Sequence, residues 1–424
     1  MRSLYVSQNG IAENLGQSQV LPYLRGLARR GVEVDLVSFE LATLAPEARA
    51  EIAAGLRDDG IRWHALVRTM GSSLPVKLGE AANGARLALE TALRRRPHIV
   101  HGRSYFATAI CDAVGGISRR SKVLFDCRGM IGDEYVDAGY WTRDRLEYRL
   151  VKAYERRLLH RSDGLVVLTR ALARWLRETG ALGPRPVVEV IPCCVDMEKF
   201  RPRGDARDRL RRELGLGDRL TIVYSGSLGS WYLEPEMARF AAAVRARSEA
   251  LGRRTSFLCL TPSDASGLRG ALDAAGFPPE DVLVRKVPPK LMPEHLSTGD
   301  IGLSFIKSCF SKMGSSPTKV AEYLACGNVA AVNGDIGDQA DLETEREACV
   351  VLRDFSAGEI DRAARASVEL AMRPREVRTR AAGDTARRHF GLEEVGIGRY
   401  LALYEALVAE RRPQASPHSA VVRR

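Results

Sequence analysis

Short apolar runs alternate with longer stretches of helical spacing from one end of the chain to the other. In the first half, runs at 4–7, 32–39, 61–66, 99–101, 123–126, 164–168 and 187–191 read as buried strands. In the second half the same reading applies to 221–225, 256–260, 282–287, 301–305, 329–332 and 349–352. Between and after them, 18–30, 77–95, 143–160, 356–372, 375–390 and 393–410 read as helices. This alternation predicts an α/β protein built from parallel sheets with right-handed crossovers. The pattern pauses at the turn-rich passage 192–202 and then restarts, which predicts two domains, 1–195 and 203–390. The last residues, 411–424, mix Pro, Ser, Gln and Arg and read as a disordered tail.

Two open parallel sheets in tandem turn the C-terminal ends of their strands toward a common cleft, so chemistry is sought there. After the first strand, Gly16 lets the backbone approach a ligand closely, and Gln17 opens the following helix. His101 and Arg103 follow the fourth strand, and Asp126 and Arg128 the fifth. They read equally well as an acceptor pocket or as ion-paired residues of a domain wall. In the second half, Ser227 lies in a glycine-serine loop, Lys286 and Val287 end a strand where a nucleotide base could rest, and Lys307 lies among lysines around a second loop.

The stretch 315–328 gathers several of these signals. Ser316 before Pro317 predicts a capped helix start, and Gly327 its left-handed end about three turns on. Thr318 and Lys319 fall in the first turn, where free amides and the macrodipole favour an anion, and Glu322 follows one turn in. An ordinary capped helix with a solvated Lys-Glu pair is the plainer reading.

Composition narrows the choice of partner. The 424 residues are 45% hydrophobic and 28% charged, with a formal charge of +11 that favours anionic partners. Aromatics are not interleaved with the basic residues, so nucleic acid is not expected. An anionic membrane surface, met through the basic helix 143–160, is a candidate. No run reaches the roughly 18 apolar residues of a spanning helix, and the first residues read as a strand, so the expected location is the cytoplasm or its membrane face. The eight cysteines show no metal-ligand spacing, and the adjacent Cys193 and Cys194 read as packing residues.

Taken in order, Leu15-Gly16-Gln17-Ser18-Gln19, His101-Gly102-Arg103-Ser104-Tyr105, Phe125-Asp126-Cys127-Arg128-Gly129, Ile191-Pro192-Cys193-Cys194-Val195-Asp196 and Ser316-Pro317-Thr318-Lys319 to Gly327 resemble the retaining GT-B glycosyltransferases of the large fourth family, which includes bacterial polysaccharide and glycolipid assembly enzymes. The resemblance implies two Rossmann-like domains facing a cleft, an N-terminal acceptor domain rejoined by the helix 393–410 and a C-terminal donor domain. It further implies a nucleotide-diphosphate sugar as co-substrate, a glycan, lipid-linked or small-molecule acceptor, and retention at the anomeric carbon without a metal or other cofactor. By the same comparison Gly16 meets the donor diphosphate and Glu322 the ribose. The family's other donor glutamate would fall eight residues earlier, where this chain has Gly314. An Arg/Lys pair common after the first strand of the second domain is replaced by Ser227, Ser230 and Trp231. A catalytically impaired sugar-nucleotide-binding scaffold and a GT-B epimerase or inverting transferase are the alternatives that these departures leave.

Overall fold

The structure, a computed structural model, describes residues 1–68, 74–118, 120–229 and 231–409. The predicted tail 411–424 and Ser230 lie outside the described residues.

The first sheet has seven parallel strands in the order β3-β2-β1-β4-β5-β6-β7. They are β1 (Arg2–Ser7), β2 (Glu33–Leu41), β3 (Ile61–Arg68), β4 (Ile99–Arg103), β5 (Lys122–Asp126), β6 (Gly164–Val167) and β7 (Val187–Val190). The second has six, in the order β10-β9-β8-β11-β12-β13. These are β8 (Leu220–Ser225), β9 (Thr255–Leu260), β10 (Val282–Arg285), β11 (Ile301–Ser304), β12 (Val329–Asn333) and β13 (Cys349–Leu352). The runs are unbroken rather than alternating because helices cover both faces of each sheet, so β6, β11 and β13 are buried at every position.

Strand order reverses between β1 and β4 in one sheet and between β8 and β11 in the other. A reversal leaves a crevice beyond the strand ends, because the two flanking connections depart to opposite faces. The segments after β1, β4, β8 and β11 therefore define the cleft.

The chain crosses between domains twice, and the crossings run side by side: Val195 N–H donates to Phe390 O at 2.8 Å and Leu392 N–H to Val195 O at 3.1 Å. After the second crossing a π-helical turn, Leu392–Ile397, leads into the helix Gly398–Ala409, which packs on the first sheet. A Cβ on Gly26 would lie 1.9 Å from Ile397 Cδ1, so this approach requires a residue without a side chain.

Three local expectations change. The helix read as starting at Ser18 begins at Asn14 and breaks at Val20 (φ −123°, ψ −64°), giving Asn14–Gln19 and Leu21–Arg29. Pro22 has no N–H to continue the first ladder, which accounts for the break. The acidic-aromatic stretch 133–141 after the fifth strand, which reads in the sequence as a loop, opens instead with a short helix, Ile131–Asp137. The helix expected to start at Pro317 starts at Thr318 and ends at Ala325, eight residues rather than three turns.

Candidate functional site

Between the domains lies a cavity of about 690 Å³. The first domain contributes Asn14, Gln17 and Ser18, the interdomain passage Lys199 and Phe200, and the second domain Ser227, Lys286, Val287, Thr318, Lys319 and Glu322.

Pro317 (φ −69°, ψ 114°) occupies the N-cap position of helix Thr318–Ala325, and no side chain caps the helix. Ser316, read from the sequence as the cap, instead accepts from Cys193 N–H at 3.1 Å, tying the two domains together, and it lines a second cavity of about 470 Å³. Without a capping side chain the first-turn amides keep their capacity to bind a ligand. Gly327, at φ +87°, sits in the left-handed region just past the helix end, as expected.

Lys319 is only 8% exposed, and its Nζ has no hydrogen-bond partner among the described residues. It lies 4.1 Å from the Tyr224 ring centroid and 3.9 Å from that of Tyr232, so two aromatic faces hold the ammonium in place of an acceptor. Gly226 leaves room for it, since a Cβ there would lie 3.2 Å from Nζ. Burial pulls the Lys319 pKa down to about 7, against a smaller opposing effect of Glu322. Burial likewise pushes Glu322 up to about 7, offset in part by Lys199 and Lys319. An ammonium and a carboxylate that burial drives toward neutrality form a site whose charges await a polar ligand.

The strand-end residues of the first domain behave differently. His101, Arg103 and Asp126 are buried, and Arg128 is nearly so. None of the four lines the cavity. Asp126 Oδ2 lies 3.4 Å from Arg103 Nη1 and its Oδ1 3.3 Å from Arg128 Nη1. His101 Nδ1 shares a 2.8 Å hydrogen bond with Tyr404 OH, and its ring lies between those of Tyr5 and Tyr400, at centroid distances of 4.3 and 5.4 Å. Burial opposes ionisation of Asp126, but Arg128, His101 and Arg103 together hold its carboxyl far below the usual range. Burial lowers the His101 pKa, so the ring is neutral. Arg128 also reaches Cys193 Sγ at 3.4 Å, so that cysteine is a packing and hydrogen-bonding group of the passage.

Gly16 lies inside helix Asn14–Gln19 rather than on an open loop, and it does not line the cavity. A Cβ there would stand 2.3 Å from Gly10 O, so the glycine allows the loop to fold on itself and present Gln17 and Ser18. Lys307 is exposed and lies outside the cavity, its backbone N–H bonded to Trp231 O at 2.9 Å. Gly314 is buried against the first domain, where a Cβ would meet Leu172 Cδ2 at 3.0 Å. A side chain at that position would press on Leu172, whose Cδ2 would have to shift by a few tenths of an ångström.

Sequence reasoning missed Lys199, Tyr224 and Tyr232, and read Glu134 only as one member of an acidic-aromatic loop after the fifth strand. Lys199 carried no motif, and the aromatic clamp depends on pairing across the β8 end. Glu134 is partly buried and its carboxyl group has no hydrogen bond or ion pair among the described residues; its Oε1 would lie 2.5 Å from a Cβ on Gly129. Burial raises its pKa against the opposing charge of Lys312, whose Nζ stands 3.7 Å above the Trp231 ring. Among the described residues no three His, Cys, Asp or Glu side chains come together to hold a metal ion.

Residues 16–194 match a family model described as Glycosyl transferase 4-like domain. No curated protein matches the chain. Among solved structures, HepE of Anabaena in complex with UDP and glucose aligns with a TM-score of 0.67 at 12% identity, covering 96% of this chain and all (100%) of that one. Sucrose-phosphate synthase of Thermosynechococcus elongatus gives 0.65 at 14% identity, covering 96% and 99%. The α,α-trehalose 6-phosphate synthase of Burkholderia multivorans gives 0.65 at 13%, covering 97% and 100%. The fold is thus the two-domain GT-B fold over nearly the whole chain.

Proposed function

We propose that the protein is a retaining glycosyltransferase that moves a sugar from a nucleotide diphosphate to a hydroxyl of a glycan, lipid-linked or small-molecule acceptor. The observation that carries this reading is the buried, unpartnered Lys319 ammonium in the first turn of an uncapped helix, aimed into the cleft. HepE, which shares the fold, is solved with UDP and with UDP-glucose.

In this reading the diphosphate binds the amides of Thr318 and Lys319 and the Lys319 ammonium, with Ser227 beside it. Glu322 accepts from the ribose hydroxyls, and the base rests on Val287 beside Lys286. Breaking the bond from the anomeric carbon to the phosphate oxygen leaves charge on the diphosphate, and the helix start and Lys319 stabilise that charge without a metal. The acceptor hydroxyl attacks from the face the diphosphate leaves, its proton passes to the departing phosphate oxygen, and the configuration is retained. Glu134 does not line the cavity of the free protein; with its carboxyl group unpaired and acted on by the Lys312 charge, it is our candidate to take the place of the glutamate absent at Gly314 and accept from the sugar hydroxyls. The cluster of His101, Arg103, Asp126 and Arg128 positions the acceptor wall rather than touching the reacting atoms.

The test is calorimetric titration with UDP, GDP, ADP and their hexose conjugates, followed by NMR of the product. At least one nucleotide sugar should bind, Glu134→Gln should weaken that sugar nucleotide but not the bare nucleotide, and the product should keep the donor's anomeric configuration. An inverted product would overturn retention; binding without turnover on any cell-extract acceptor would favour a scaffold.

A further inference from the structure

The segment 140–161 carries seven basic against three acidic side chains. Its helix, Leu146–Arg161, turns Leu158 and Leu159 inward but leaves Leu146 67% and Leu150 60% exposed. One turn apart, these two share a face of the helix. Tyr140, 68% exposed, lies in the loop before the helix, which Arg145 Nη1 ties to the helix start by donating to Tyr140 O at 3.4 Å; its ring meets that of Tyr135 at a centroid distance of 6.0 Å. The exposed side chains of Arg143, Arg149 and Arg156 make no hydrogen bond or ion pair among the described residues, although the Arg143 charge helps hold the Asp137 carboxyl below its usual range. In contrast, Lys152 on the inner side is held by Asp133 at 2.8 Å.

The position of the patch matters as much as its chemistry. It follows helix Ile131–Asp137, whose Asp137 carboxylate accepts from Ser311 N–H at 2.8 Å across the cleft. Arg143, whose charge acts on Asp137, places the loop before the helix beside this contact between the domains. Apolar side chains amid unpaired arginines are costly to leave in water and match a surface that is anionic outside and apolar beneath.

We propose that Tyr140, Leu146 and Leu150, with Arg143, Arg149 and Arg156, form a docking surface for an anionic lipid bilayer. Arginine charges near such a surface hold the protein to it, and the leucines and tyrosine enter the headgroup layer. Combined with the transferase reading, on which this last step rests, the docking presents the cleft to an acceptor hydroxyl carried on a membrane lipid.

The test is sedimentation of the full chain with vesicles of phosphatidylglycerol and phosphatidylcholine, at low and high salt. The wild type should pellet with phosphatidylglycerol-rich vesicles and stay in solution with pure phosphatidylcholine. Leu146→Ser with Leu150→Ser, and Arg143→Glu with Arg149→Glu, should each cut partitioning by about tenfold or more, with melting temperature unchanged. Leu251→Ser, at an exposed leucine of the second domain, should have no effect. Wild type remaining in solution with phosphatidylglycerol at low salt would overturn the proposal, as would pelleting that survives both double variants. A dimer in ultracentrifugation that Leu146→Ser with Leu150→Ser dissolves, without vesicle binding, would assign the face to a second copy and overturn it too. Nucleotide titration of the same wild-type protein separates the outcomes, since absent nucleotide binding removes the transferase reading and leaves the vesicle result standing.

Discussion

Each domain gathers charged side chains at the ends of its strands, and the two gatherings differ in one respect: whether every charge has a partner. Asp126 is held by Arg103 and Arg128, and the neutral His101, whose Nε2 stands 3.7 Å from Asp126 without a hydrogen bond, is held by Tyr404. Lys319 is also buried, but its ammonium has only ring faces beside it, and no ion pair joins it to Glu322 among the described residues. A satisfied network specifies structure, whereas an unsatisfied one faces space that a ligand can fill. Both clusters look alike along the sequence, so the difference lies in the partners.

The largest effect that can break this comparison comes from Asp126→Ala. It leaves two guanidiniums buried without their carboxylate, which costs roughly 3–5 kcal/mol of stability. Denaturant unfolding should show that loss. A variant of wild-type stability that has lost only turnover would place Asp126 in the chemistry and erase the contrast.

Next comes Lys319→Met, which keeps the volume and removes the charge. Because no hydrogen bond is lost in the empty protein, the melting temperature should stay level or rise. The affinity of whichever nucleotide binds the wild type should fall by about 2–3 kcal/mol, the scale of a charge-assisted hydrogen bond. Unchanged calorimetric affinity would sink the donor assignment, and a large drop in stability would make Lys319 a structural residue like Asp126.

A pH experiment sharpens the same point. In the empty site Lys319 titrates at about 7, well below the ordinary lysine value, because burial disfavours the charged form. A bound diphosphate favours that form and raises the pKa, so at pH 8 binding should take up about one proton at this lysine. Affinity should therefore weaken as pH rises from 7 toward 9 and level off below 7. Glu322, raised to about 7, titrates in the same range, so the measurement belongs in Glu322→Gln, in two buffers of different ionisation enthalpy. Uptake that persists in Glu322→Gln with Lys319→Met would assign the proton elsewhere.

Both sheets were legible in the sequence because strands covered on both faces must be continuous apolar runs, and β1 to β13 all fall on the runs read from the chain. Boundaries moved where a single backbone group decided them, as at Val20 before Pro22 and at the start of helix Thr318–Ala325. Of the site, Gln17, Ser227, Lys286, Val287, Thr318, Lys319 and Glu322 were read and line the cavity. Partnership was not legible, since Tyr404 lies 303 residues from His101, and Ser316 gives its oxygen to Cys193 rather than to its own helix. Nor could the sequence show that Gly314 faces Leu172 of the first domain.

The smallest predicted effect tests what holds the two clusters at a fixed separation. Helix Arg170–Glu178 of the first domain has its own cap in Thr169, whose Oγ1 accepts from Leu172 N–H at 3.1 Å and donates to Met313 O at 2.7 Å in the second domain. Its remaining amides, Arg170 N–H and Ala171 N–H, donate to the two Asp338 oxygens at 2.7 and 2.9 Å, so the second domain completes the cap. A carboxylate at a helix N-terminus is favoured by both hydrogen bonds and dipole, and this one exists only while the domains stay together. Asp338→Ala should therefore cost about 0.5–2 kcal/mol, the range for loss of an N-cap, and speed hydrogen exchange at amides 170 and 171 more than at the sheet cores. Added nucleotide should restore part of that protection if it bridges Lys319 and the Gln17 side of the cleft. Equal exchange in variant and wild type would mean that the domains are held without this carboxylate.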